Sequence, residues 1–198
     1  MTRTFIALEM NEAQQQHLAE IIRQMAQVLP GIRWVDPAGI HLTLAFLGEL
    51  SDGELGKVMH AAENTARQAS SFSYRLSRPD TFASPRQPRI IWMGVEESSG
   101  ALAHLHHMLN RELERRGFEL DKRPFSPHLT LARIKRPLQP HELQQLQKIL
   151  LGGQQKISAT GVYTVRYVYV MKSELFKIGA QYTCLRAFAL KQGSSPAS

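Results

Sequence analysis

The sequence predicts an α+β fold of two lobes, in which antiparallel sheets are flanked by helices. Three observations carry this expectation. Short β-prone runs alternate with segments whose apolar residues recur at helical spacing. Several of the strands come as hairpin-like pairs, which favours antiparallel sheets over a doubly wound parallel one. One nine-residue stretch recurs in the second half of the chain, as two lobes related by approximate symmetry would require.

Each element follows from local signals. Residues 4–8 (TFIAL) read as a strand. Residues 11–29 read as a helix with Leu18, Ile21, Ile22, Met25 and Leu29 on one face, ended by Pro30 and Gly31. Residues 40–47 (IHLTLAFL) alternate as a strand. Ser51 and Glu54 form a capping box for a second helix, with Leu55, Val58, Met59 and Ala62 inward. Residues 72–76 and 89–95 read as strands separated by a loop containing Pro79, Pro85 and Pro88. A third helix spans residues 101–116, with Leu102, Leu105, Leu109 and Leu113 on its face and Gly117 as its stop. Residues 128–134 make another strand. A fourth helix starts near Pro140, carries Leu143, Leu146 and Leu150, and stops at Gly152 and Gly153. Two strands follow, near residues 163–171 and 182–190. The whole of 1–198 is expected to be one bilobal domain with a disordered tail from about residue 192.

Composition narrows the function classes. Hydrophobic residues make up 43% and charged residues 21% of the 198, as in an ordinary globular protein. No run approaches the roughly 20 apolar residues that cross a bilayer, and the apolar N-terminal run is too short for a secretory leader. Cys184 is the one cysteine, so no internal disulfide or cysteine-based zinc site is expected, and the cytoplasm is the expected location. The formal charge of +7 favours a polyanionic partner, without choosing between nucleic acid, anionic lipid and a small phosphorylated substrate. The basic residues are dispersed, with no block that would mark a basic tail.

The repeat holds the chemistry. PAGIHLTLA at 37–45 matches PFSPHLTLA at 124–132, with proline four residues before each histidine. A His-x-Thr-Leu tetrad is a ~10⁻⁴ event per position, so two copies with matching flanks are a specific signal. Strand alternation puts His41 and Thr43 on one face, with Leu42, Leu44 and Phe46 on the other. His128 and Thr130 likewise oppose Leu129 and Leu131. If the lobes face each other, two imidazoles and two hydroxyls converge. An imidazole serves as acid or base near neutrality, and threonine hydroxyls can donate to non-bridging phosphate oxygens. The set suits opening of a cyclic phosphodiester and needs no metal or cofactor.

The contexts RWVDPAGIHLTLAFLGEL and PFSPHLTLARIK resemble the two-histidine (2H) phosphoesterase superfamily, and within it the bacterial RNA 2′,3′-cyclic phosphodiesterases, also called 2′-5′ RNA ligases. The segment MKSELFKIGAQYTCL resembles that family's C-terminal strand pair. The resemblance covers nearly the whole chain. It implies a bilobal fold of two pseudo-symmetric antiparallel sheets, with the histidines in a central active-site groove. It implies hydrolysis of a 2′,3′-cyclic phosphate to a 2′-phosphate and the reverse, ATP-independent 2′-5′ joining of ends. It also implies that His41 is the proton donor and His128 the acceptor, with catalysis by His41 and His128 and substrate binding by Thr43 and Thr130. The expected partner is RNA with a 2′,3′-cyclic phosphate end, with no membrane association, and the protein acting as a monomer.

Other features carry weaker signals. His104 and His107 share a helix face but lack an acidic ligand at metal spacing. His141-Glu142 lacks the second histidine of a zinc protease motif. Arg133 falls on the face opposite His128 by strict alternation and reaches a phosphate only if the strand ends or bulges there. Trp34, Phe46 and Phe125 are candidates for stacking on a base, Phe46 being read as core; Ser173 and Tyr182 are candidate groove residues. A non-catalytic RNA-binding module is the reading from another class, and it has no need of duplicated His and Thr. A phosphodiesterase of small nucleotides is a third, against which the charge excess leans.

Overall fold

The computed structural model describes residues 1–84, 86–151, 161–176 and 179–192. Among the described residues, three of the four helices start where the sequence supplies a capping side chain or an opening proline, whereas the third starts after Gly100 with no side-chain cap. Asn11 and Gln14 cap each other reciprocally at α1 (Glu12–Val28), and Ser51 and Glu54 do so at α2 (Asp52–Ala66). Helix α3 (Ala101–Glu114) ends before Gly117, whose φ of 87° suits glycine. Helix α4 (Pro140–Leu150) opens on proline, with Glu142 folding back on the Gln139 amide at 2.8 Å. The stop read at Gly152 and Gly153, and the tail from residue 193 on, lie outside the described residues.

Among the described residues, eight strands join one antiparallel sheet: β1 (Thr2–Glu9), β2 (His41–Leu50), β3 (Phe72–Ser84), β4 (Gln87–Glu96), β5 (His128–Arg133), β6 (Val162–Val165), β7 (Tyr167–Phe176) and β8 (Gly179–Ala189). Their order is β6-β3-β4-β5-β2-β1-β7-β8. The expected two sheets are its two four-stranded halves, β6-β3-β4-β5 and β2-β1-β7-β8, joined where β5 meets β2. The halves mirror each other. In each, the repeat strand lies at the join and pairs with the strand before it, across an intervening helix.

Two strand assignments change. The run near 163–171 is two strands separated at Arg166: β6 pairs with β3 in one half, and β7 pairs with β1 in the other. A continuous apolar pattern cannot reveal that the chain crosses the sheet between them. The proline-rich stretch read as a loop is largely strand, with Pro79 and Pro88 in strands and Pro85 outside the described residues. Strands β3 and β4 run through it as a long hairpin, with a register shift between Leu76 and Pro79 that takes Pro79 into the ladder.

The helices cover one face of the sheet. Leu42, Leu44, Leu129 and Leu131 share a buried core with Leu18, Met25, Val58, Leu105, Leu109 and Leu146. Each such leucine contributes about 1.5–3 kcal/mol by burial. On the other face lies a small separate cluster of Phe5, Ala7 and Met171, flanked by Tyr169 and Tyr182. Just beyond β5, Arg136 grips Glu142 in a two-pronged ion pair at 2.6 and 2.7 Å and donates to the Gly31 carbonyl at 3.4 Å. This ties the segment after the second repeat to the turn before the first. No described helix is long and apolar enough to cross a membrane.

Candidate active site

Each repeat histidine opens its strand and is fixed by the residues before it. Pro37 to Gly39 form a 3₁₀ turn capped by the Asp36 side chain. The turn leaves the Gly39 carbonyl 2.9 Å from His41 Nδ1. In the second copy the Ser126 carbonyl stands 2.7 Å from His128 Nδ1. A carbonyl can only accept, so each Nδ1 donates. Each neutral ring therefore keeps Nε2 as its basic atom.

The join of the halves assembles the tetrads. Leu42 lies opposite Leu129 in the antiparallel pairing of β2 with β5. That register sets Thr43 beside His128 and His41 beside Thr130, all on the face away from the two leucines. The four predicted residues are thus neighbours on adjacent strands of one sheet.

Both repeat strands carry a bulge at the same place. Ile6 faces Ala45 and Ala7 faces Thr43, leaving Leu44 as the extra residue. Ile91 faces Ala132 and Trp92 faces Thr130, leaving Leu131 as the extra residue. In both strands two successive residues are buried, and the side chain after them flips. Arg133 therefore joins the face of His128, meeting the condition that strict alternation denied it. Phe46 joins the face of His41, which corrects its reading as a core residue; it is 53% exposed, with the Arg3 guanidinium 4.9 Å from its ring centroid.

An aromatic wall backs each histidine. The His41 ring lies 4.6 Å from Phe5 and 4.8 Å, edge-on, from Tyr182. The His128 ring lies 4.7 Å, edge-on, from Phe82 and 6.0 Å from Trp92, with Phe82 stacked on Trp92 at 5.0 Å. Burial, above all, holds His41 below the ordinary imidazole pKa. The Gly39 hydrogen bond opposes this, and the charges of Arg133 and His128 lower it further. All three groups therefore share one electrostatic site.

The remaining candidates separate. Tyr182 touches His41, and Ser173 is its cross-strand partner. Phe125 instead stacks on His106 of α3 at 3.8 Å and packs against the core. Trp34 bridges to Ala132 at the edge of β5. His104 and His107 stay exposed on α3, and among the described residues no three His, Cys, Asp or Glu side chains cluster as metal ligands. Phe5, Phe82 and Trp92 carry no motif, and only strand pairing brings them to the histidines.

Comparison with known proteins gives the family and the fold. Residues 12–173 match the family model of the 2′-5′ RNA ligase superfamily. An RNA 2′,3′-cyclic phosphodiesterase of Methanothermobacter thermautotrophicus is 29% identical over 95% of this chain and 98% of its own length. One of Aeropyrum pernix is 31% identical over 90% of this chain and 96% of its own. Among solved structures, a Thermus thermophilus protein superposes with a TM-score of 0.78 at 26% identity, covering 96% of this chain and 98% of its own. E. coli LigT complexed with 3′-AMP superposes at 0.72 with 25% identity, covering 96% and 99%. By sequence and by fold, this chain belongs to the 2′-5′ RNA ligase superfamily.

Proposed function

We propose that the protein hydrolyses 2′,3′-cyclic phosphate ends of RNA to 2′-phosphomonoesters, and that the same site, run with a 5′-hydroxyl in place of water, joins ends in a 2′-5′ linkage. The observation that carries this reading is the pairing of the two His-x-Thr strands, which sets two imidazoles and two hydroxyls together on one face. His128 Nε2 takes a proton from water as the water oxygen attacks phosphorus. The P–O3′ bond breaks on the opposite side, and O3′ takes a proton from His41 Nε2. Thr43 and Thr130 donate hydrogen bonds to the non-bridging oxygens, and Arg133 balances their charge. His41 must begin protonated although burial disfavours its charge; the bound phosphate anion supplies the opposite charge that restores the proton. The assignment of donor and acceptor follows the family pattern. Both halves of the site come from one chain, which supports action as a monomer.

The decisive experiment is incubation with an oligonucleotide ending in a 2′,3′-cyclic phosphate, without added metal, and identification of the product. A 2′-phosphate end is expected. An unopened ring, or a 3′-phosphate product, would overturn the proposal.

A further inference from the structure

We infer that the Phe82–Trp92 wall beside His128 is a second nucleobase subsite, which takes the 5′-terminal nucleoside of the incoming strand when the site joins RNA ends. The inference rests on the reaction proposed above. In-line displacement places the entering and leaving oxygens on opposite sides of phosphorus. With one histidine serving each oxygen, the nucleoside that keeps the phosphate lies toward His41, and the nucleophile arrives at His128. The hydrogen bond that fixes His41 is partly buried, whereas the one that fixes His128 is exposed, so His128 is the more open side.

Water needs no aromatic surface where it enters, yet that side is built as one. Trp92 stands directly across from Thr130, Phe82 stacks on Trp92, and Phe82 meets the His128 ring at 4.7 Å. Both rings remain partly exposed. Arg133 lies in the same cross-strand row, opposite Ile90, which in turn faces Phe82. Arg78, Arg86 and Arg89 are exposed on the same hairpin, as is Asp80, which stands across from Trp92. An aromatic platform beside cationic side chains suits a base and its backbone phosphate.

The step balances without a further reactant. The 5′-oxygen forms the new bond to phosphorus and passes its proton to His128, while the P–O3′ bond breaks and O3′ takes the proton of His41. The base on Phe82 holds the 5′-hydroxyl at the distance that water reaches unaided.

The test compares joining with hydrolysis in the full chain. The probes are an RNA ending in a 2′,3′-cyclic phosphate and a second RNA with a 5′-hydroxyl. Phe82→Leu should lower the ratio of joining to hydrolysis by about tenfold or more, the scale expected for loss of one stacked base. Phe82→Tyr should keep the ratio near that of the native protein. An acceptor strand with an abasic 5′ residue should join poorly with the native protein and show no further loss with Phe82→Leu. This last comparison alters the ligand, so it holds even if the variant folds less well. An unchanged ratio, or Phe82→Tyr as defective as Phe82→Leu, would overturn the subsite alone. So would a native protein that opens the cyclic phosphate but neither joins strands nor cleaves 2′-5′ linkages. A native protein that never opens the ring would overturn the subsite and the proposed function together.

Discussion

Leu42 stands opposite Leu129 where the two halves of the sheet meet, and both are fully buried. This apolar pair sits behind the site and sets which hydroxyl neighbours which imidazole. Removing the Leu129 side chain should therefore destabilise the fold and misalign the chemistry at once. Leu129→Ala is expected to cost about 2–5 kcal/mol by denaturant unfolding. Below the unfolding temperature it should also lose more activity than the unfolded fraction explains. A stable variant with native activity would show that the register is set elsewhere.

The histidines are expected to act as one relay. His41→Ala and His128→Ala should each lower turnover by roughly 10²–10⁴-fold. The double variant should fall well short of the product of the two losses, because either change already stops the concerted transfer. Thr43→Val and Thr130→Val should cost less, roughly 10- to 100-fold each, since one donor is lost and the strand preference is kept. Steady-state hydrolysis of a cyclic-phosphate oligonucleotide measures all five. Native rates in both histidine variants would favour an RNA-binding module instead.

Burial of His41 has a consequence for stability against pH. Its folded pKa lies below the ordinary value of 6.5, so the unfolded chain takes up the proton first as pH falls. Stability should be full above about 6.5 and should decline as pH drops from there toward the folded pKa, a slope that reflects more protons bound in the unfolded state. His41→Gln removes this titration and should flatten that part of the curve. An identical slope in both proteins, followed by chemical denaturation, would place the titration on another group.

Arg133 is expected to act through charge as well as contact. Arg133→Met should raise the His41 pKa toward the ordinary value, because a neighbouring cation no longer opposes protonation. Hydrolysis should drop on the order of 10- to 100-fold with the loss of one charged donor to the phosphate. Histidine NMR titration in the free protein reads the first effect. A downward shift, or none, would mean that Arg133 does not face the site.

The chemistry is legible in the amino-acid sequence by itself. A duplicated His-x-Thr with matched flanks marks itself, because the residue types, their spacing and the strand period are all local properties. Helix starts are equally plain, since Asn11, Ser51 and Pro140 act within a few residues of where they stand. Tertiary structure decided everything that depends on which strands are neighbours. It brought β2 against β5, sent β6 and β7 to opposite halves, and made Phe5, Phe82 and Trp92 the walls of the site. It also placed the matching bulges that turn Phe46 and Arg133 toward the histidines. A bulge is a misfit between two strands, so a period read along one strand cannot register it. The residues proposed to perform proton transfer are fixed by local sequence, and the surface proposed to receive the substrate is fixed by pairings between strands far apart in the chain.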